Sequence, residues 1–272
     1  MADFSSLTLA DIDAPAPIVV AAAGRDDRDR ASEPHRHARG ELLASTQGLL
    51  SVGVEDGSWV VPAAHAFWLP PHHLHYARSH GAFQGWIVFI AASACGDLPK
   101  QPCTLRTSDL LHAAILRAAQ WQAGPLDATG TRLASVIIDE IRGLPVEPLG
   151  LRHPRDLRLQ RIAQALLDEP AHPRDLTGWA DWAGVGARTL SRRFVTETGF
   201  TFTEWRQRAR LMRSLEMLAA GQPVTTVAFD LGYSSVSAFI TLFRKTFGVA
   251  RRASASPSAA SRAATLMAAS GG

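Results

Sequence analysis

DLTGWADWAGVGARTLSRRFVT, residues 175–196, reads as two short helices joined by a glycine turn, and TTVAFDLGYSSVSAFITLFRKT, residues 225–246, repeats that arrangement. In the first stretch Asp175 is placed to cap a helix whose inner side carries Leu176, Trp179, Ala180 and Ala183, and Gly184 supplies the turn. The helix that follows, about Ala187 to Glu197, turns Leu190 and Phe194 inward and leaves Arg188, Ser191 and Arg192 together on the opposite face. A helix-turn-helix lays its second helix in the major groove, so these three residues are the candidates for base contact. Arg188 or Arg192 suits guanine O6 and N7, Ser191 a base or a phosphate, and Arg193, on the flank, the DNA backbone.

The second stretch turns Val224, Val227, Ala228 and Leu231 inward, places Gly232 at the turn and offers Ser235 as the next cap. Phe239, Leu242, Phe243 and Phe247 form the inner side of its second helix. Val236, Ser237 and Thr241 then make the exposed face, with Arg244 and Lys245 toward the phosphates. This face carries less charge than the first, so the first helix is expected to dominate hydrogen-bonded specificity and the second to add apolar contact and backbone grip. Phe202 to Ala220 reads as one long helix closed by Gly221, with Trp205, Leu211, Leu215 and Leu218 for packing. A rigid connector of this kind suits two major-groove entries about 34 Å apart.

Charge agrees with that reading. Residues 1–150 hold 11 Lys and Arg against 16 Asp and Glu, net −5, whereas residues 151–252 hold 16 against 9, net +7. The basic half is the one suited to a polyanion. With 272 residues there is room for two domains. The two cysteines, Cys95 and Cys103, are too few for a disulfide framework and form no CxxC pair, which fits a reducing compartment. The N-terminus lacks the basic stretch and apolar core of a signal peptide and no apolar run approaches spanning length, so the expectation is a cytoplasmic protein without a membrane partner.

From Glu41 to Ile90 short apolar runs alternate with turn signals: 41–45, 49–55, 58–61, 66–69, 74–77 and 85–90, with Asp56-Gly57 as a hairpin signal. Short strands so closely spaced imply a small antiparallel barrel or sandwich. Two amphipathic helices follow, one with Leu110, Leu111, Ala114, Ile115 and Ala118 on a face, the other with Leu133, Val136, Ile137 and Ile141. They either cover the barrel or pair with a second copy, through 108–122 or 131–142. Gly143, Pro145, Pro148 and Gly150 then break the periodicity. The expected organisation is a sensor domain over 1–142, a linker over 143–154, a helical tandem helix-turn-helix domain over 155–252 and a disordered Ala/Ser-rich tail over 253–272, an α+β chain of two domains.

The stretches TLSRRFVTETGFTFTEWRQRARL, VAFDLGYSSVSAF and FRKTFGV make residues 176–249 resemble the DNA-binding domain of the AraC/XylS family of bacterial transcription regulators. HRHARGELL and WLPPHHLHY resemble the cupin sensor domains attached to one branch of that family. The resemblance places the family's base-reading positions on Arg188, Ser191, Arg192, Val236, Ser237 and Thr241, the faces already chosen by spacing. One departure follows Val249: where the family has a proline and then an aromatic-arginine pair, this chain reads Ala250-Arg251-Arg252-Ala253, so the closing helix is expected to be altered and less stable.

The spacing from His35 and His37 to Glu41 and Gly48, then from Pro70 to His75, resembles the two cupin motifs that hold one metal ion. Positions two apart on a strand share a side, so His35 and His37 can face one ion, and a bend brings in Glu41 and His75. Three imidazoles and a carboxylate suit Zn, Fe, Ni, Mn or Cu. Equally, such histidines line an organic-ligand pocket or bond the backbone. His72 stands where the second motif usually has glycine. His65, His72, His73 and His80 are expected in exposed loops, and Trp59, Phe67, Trp68 and Trp86 in the core.

These readings favour a sequence-specific regulator, not an enzyme, that binds double-stranded promoter DNA under control of a small-molecule or metal effector, with RNA polymerase and a second copy as further partners. A metal-dependent cupin enzyme fused to a helical domain rests on the histidine-glutamate set alone and leaves the tandem motif unexplained. A structural nucleoid protein would show weak sequence preference.

Overall fold

The computed structural model describes residues 17–61, 65–121, 124–147 and 149–247. The chain divides into two units near Gly150, with Asp56–Ser58 counted in the second. The first is an antiparallel sheet followed by two helices, and the second is helical.

The sheet contains β1 (Val19–Asp26), β2 (Gly40–Val54), β3 (Gly57–Val61), β4 (His65–Leu69), β5 (His75–Ile90), β6 (Cys103–Arg106) and β7 (Val146–Glu147), with β8 (Gly150–Arg152) at the unit boundary. Its order is β1-β5-β2-β4-β6-β7, with β3 beside β2. Runs that the sequence shows as separate strands merge: 41–45 with 49–55 into β2, and 74–77 with 85–90 into β5. The break that separates the first two is an irregularity in the pairing at Ser45–Leu49, where Gly48 adopts φ 83°. Extra residues there reverse the alternation of the strand. Before the break Leu43 joins the cluster of Phe67, Leu69 and Trp59; beyond it Leu50, Val52 and Val54 do. Even-numbered residues thus take over a face that odd-numbered ones began.

The other face buries Leu42, Ala44, Trp68, Trp86, Val88 and Ile90 beneath α1 (Asp109–Ala118) and α2 (Ala128–Gly143). Leu111, Ile115, Ile137 and Ile141 are fully withdrawn from water there. These helices therefore cover the sheet, one of the two roles open to them, and the four aromatic residues expected in the core are buried. Ser108 caps α1 by accepting from Leu111 N, and Asp127 caps α2 by accepting from Gly130 N. The stretch expected as a linker, 143–154, contains β7, paired with β6, and β8. Its prolines and glycines interrupt helical periodicity, but they leave room for two- and three-residue strands.

The helical unit comprises α3 (Leu157–Asp168), α4 (Leu176–Ala183), α5 (Ala187–Thr198), α6 (Phe202–Ala219), α7 (Val224–Asp230) and α8 (Val236–Phe247). α6 begins with a capping box: Thr201 Oγ1 accepts from Glu204 N, and Glu204 Oε2 accepts from Thr201 N at 2.9 Å. It is closed by Gly221 at φ 83°. The core joins Leu159, Ile162 and Leu166 of α3, Trp179 of α4, Leu190 and Phe194 of α5 and Trp205 of α6. Phe194 meets Phe202 and Trp205 edge-on, with ring centroids 5.3 and 5.8 Å away. Trp205 Nε1 donates to the Arg152 carbonyl at 2.8 Å, so its one polar atom is satisfied. The altered segment 250–253 and the tail 253–272 lie outside the described residues.

Candidate DNA-reading helices and histidine cluster

In the first reading unit Asp175 accepts from Gly178 N at 2.8 Å and starts α4; Gly184, at φ 65°, ends it. Only glycine takes that conformation without strain, and the turn swings α5 across α4. Leu190 and Phe194 anchor α5 in the core. On its other side Arg188 and Arg192 are exposed and Ser191 half-buried. Arg193 lies on the flank with its side chain 41% exposed. It pairs with Asp156, which also accepts from Arg158 N and so caps α3.

The second unit has the same construction. Val227, Ala228 and Leu231 of α7 are buried, Gly232 turns the chain at φ 76°, and Ser235 Oγ accepts from Ala238 N at 3.2 Å to start α8. Phe239 and Phe243 pack edge-on, 5.7 Å apart, whereas Leu242 is only half-buried. Ser237, Thr241, Arg244 and Lys245 are exposed and Val236 half-buried. The side chain of Phe247 lies outside the described residues.

In the sheet unit, the expected metal set comes together by a route other than strand alternation. His37 precedes β2 outside any strand, and His35 makes an isolated bridge to His75 at the start of β5. His35 and His75 exchange both backbone hydrogen bonds at 2.9 Å. Glu41 opens β2 opposite Leu69 and Phe89. His75 is paired with Val54, thirteen residues farther along β2 than Glu41, yet its ring reaches Glu41. A straight strand would separate those positions by about 43 Å. The sheet must therefore curl back on itself, the barrel-like closure that the strand spacing implied.

Each imidazole in this cluster is oriented by a backbone carbonyl. His35 Nδ1 donates to Glu33 O at 2.8 Å, His37 Nδ1 to Arg39 O at 2.8 Å and His75 Nδ1 to His73 O at 3.0 Å. A carbonyl only accepts, so each Nδ1 carries a proton, and in a neutral ring the lone pair that a metal would take is on Nε2; His37 Nε2 as it stands is hydrogen-bonded to Glu41 Oε2 at 2.9 Å. One ligand atom from each of the three rings lies within 4.8 Å of the others. Glu41 Oε2 stands 2.9 Å from both His37 Nε2 and His75 Nε2. His75 Nε2 is buried with the Glu41 carboxylate as its charged neighbour. Burial alone would raise the Glu41 carboxyl, but His37 and His75 outweigh it and hold it down to about 2. Burial opposes protonation of His75, and the Glu41 carboxylate overcomes this and raises its pKa.

His72, where the motif has glycine, adopts the left-handed conformation, φ 67°, and its N donates to the His37 carbonyl at 2.9 Å. The chain thus keeps the glycine-type turn with a histidine in it. Of the histidines expected in loops, His72 is exposed, but His80 is buried on β5 with Nε2 2.8 Å from Ser51 Oγ, and His65 begins β4. The alternating pattern around His80 was masked by Gly81 and Gly85, which look like turn signals and instead lie within β5.

An AraC-like ligand binding domain family matches residues 17–134, and a helix-turn-helix domain family matches residues 179–263. The transcriptional regulator NimR of Escherichia coli is 32% identical over 248 residues, covering 88% of this chain and 89% of NimR. This chain belongs to the AraC family of helix-turn-helix transcription regulators. The HTH-type transcriptional regulator RipA of Corynebacterium glutamicum is 33% identical over 105 residues, 39% of this chain and 30% of RipA. The crystal structure of ToxT from Vibrio cholerae aligns over 86% of this chain and 96% of its own, with 12% identity and a TM-score of 0.36. The AraC-family assignment makes the chain a DNA-binding transcription regulator with a ligand-binding domain, not an enzyme. Among the described residues no helix is long and apolar enough to cross a membrane.

Proposed function

We propose that this regulator reads double-stranded promoter DNA with Arg188, Ser191 and Arg192 of α5 and with Val236, Ser237, Thr241 and Arg244 of α8. The observation that supports this is the repeated construction: in both units a glycine turn leads into a helix with buried aromatic anchors on one side and exposed polar groups on the other. Two exposed arginines give α5 the means to recognise guanine bidentately. α8 offers hydroxyl and methyl groups with Arg244 beside them, which suits thymine contact and phosphate grip. Mapping the genomic fragments bound by the wild-type chain, then titrating the strongest fragment with Arg192→Ala, tests this reading. Unchanged affinity would remove the base-reading assignment.

We further propose that the effector site of the sheet unit accepts a divalent transition-metal ion through His35, His37, His75 and Glu41. Three imidazoles, each held by a backbone carbonyl at Nδ1, bring one ligand atom apiece within 4.8 Å of one another, and the Glu41 carboxylate stands 2.9 Å from Nε2 of His37 and of His75. Bound there, a metal would neutralise the carboxylate and tie the 31–37 segment to β2 and β5. Cobalt(II) added to purified protein should give a ligand-field absorption band that His75→Ala loses. Absence of any band with wild type would leave these histidines a structural role only.

A further inference from the structure

The two reading units are joined by more than the connecting helix. α6 carries Arg206 and Arg210 one turn apart, and both reach back to the loop that leads into α4. Arg206 Nη1 donates to the Arg174 carbonyl at 2.8 Å and Nη2 donates to the His172 carbonyl. Arg210 Nε donates to the Pro170 carbonyl at 2.7 Å. The Arg210 guanidinium also lies over the Tyr233 ring, 5.8 Å from its centroid, and Tyr233 follows the turn glycine of the second unit. That glycine, Gly232, faces the same loop: a Cβ placed on it would stand 3.3 Å from Ala171 Cα and 3.2 Å from Arg210 Nη2.

Residues 170–174 are therefore fixed to α6 through three carbonyls while Ala171 touches the turn between α7 and α8. The next residue, Asp175, caps α4, and α4 packs on α5. This forms a second mechanical path from one reading helix to the other, in parallel with α6. Both arginines are half-buried, and Arg206 Nε is left buried without a hydrogen-bond partner. Apolar side chains would fill the space with less penalty. What the arginines supply is a planar fork with fixed donor directions, which lysine lacks.

We propose that Arg206 and Arg210 are positioning residues of the DNA reader: they set the relative placement of α5 and α8 and thereby the number of base pairs between the two segments read. This rests on α5 and α8 being the reading helices. Two linked modules gain from joint engagement only when their separation matches that of their targets. A clamp that stiffens the pair makes the reader intolerant of altered spacing.

The test begins with a duplex selected by the full-length wild-type chain from a random-sequence pool, its two protected segments located by footprinting. Versions with the spacer one base pair longer or shorter are then titrated with wild type, with Arg206→Lys/Arg210→Lys and with Arg192→Ala. Wild type is expected to lose about 100-fold on either altered spacer, because one helix disengages. The double-lysine chain is expected to bind the selected duplex about tenfold more weakly, yet to lose no more than about fivefold on respacing. A double-lysine chain that keeps the wild-type spacing penalty overturns the proposal. Arg192→Ala separates the two levels of the argument: if it binds the selected duplex as wild type does, the reading assignment fails first. Should the double variant melt early by circular dichroism, Arg210→Lys alone is measured, and retention of the full spacing penalty there counts equally against the clamp.

Discussion

Arg193 of α5 pairs with Asp156, the residue that caps α3, while its neighbour Arg192 stays exposed. Adjacent arginines thus point in different directions around the helix, as the 3.6-residue turn requires. The hydrogen bonds from Arg158 to Asp156, with the Arg193 charge beside them, outweigh burial and hold the Asp156 carboxyl down to about 2.

A carboxyl held below its unfolded value of about 3.9 stabilises the fold fully above that value and ceases to do so as pH falls toward 2. Asp156→Asn preserves the capping oxygen, since Asn and Asp cap about equally well, and removes the charge. It is expected to lower the thermal midpoint at pH 7 and to show a shallower further decline between pH 5 and 2 than wild type. Circular dichroism melts across that range decide it; parallel curves would show that the ion pair contributes nothing.

The three exposed arginines should differ in kind. Arg188→Ala and Arg192→Ala are expected to cost about 1–3 kcal/mol each on a selected operator and to relax preference at one base position. Arg244→Ala should weaken binding to all sequences alike and reduce the salt slope by about one. Gel-shift titrations at several salt concentrations, on the operator and on unrelated DNA, separate the two behaviours.

His72 occupies a backbone conformation that suits glycine. Its side chain is exposed, so its removal sacrifices little packing. His72→Gly is expected to stabilise the sheet unit by about 0.5–1 kcal/mol, the strain of a side chain in the left-handed region less the greater entropy of an unfolded glycine. A fall in the melting midpoint would show that the imidazole contributes more than the backbone strain removes.

The turn glycines of the two reading units offer an internal comparison. Both have positive φ, but a Cβ at Gly184 would enter open space, whereas one at Gly232 would press on Ala171 and Arg210. Gly184→Ala should cost about 1–2 kcal/mol from backbone strain alone. Gly232→Ala should cost more and weaken DNA binding as well. Chemical denaturation of both variants beside wild type gives the ranking, and equal losses would mean that the Ala171 contact yields freely.

Much of the helical unit was legible because its signals are local. Asp175 and Ser235 cap helices, Gly184, Gly221 and Gly232 end them, and Leu190 with Phe194 or Phe239 with Phe243 marks the buried side at a spacing of four; each is decided within one or two turns of chain. The strands were harder. β1 and β6 leave little mark in the sequence, since VVAAAGRD and CTLR carry little alternation and owe their pairing to partners far along the chain. The bulge near Gly48 made one strand look like two.

The amino-acid sequence by itself determined that there are two glycine-turn helical units and which of their residues face outward, and its resemblance to the cupin motifs grouped His35, His37 and His75 with Glu41. Those properties follow from helical periodicity, capping chemistry and motif spacing. Only the tertiary structure decided that Arg193 serves Asp156, that His35, His37 and His75 converge through a curled sheet with their Nδ1 atoms tied to carbonyls, and that Arg206 and Arg210 bind residues 170–174 beside Gly232. The partners in these contacts stand roughly 20 to 60 positions apart or depend on where a ring or fork points. Such pairings are set by the packing of whole elements, which no local pattern of residue types encodes.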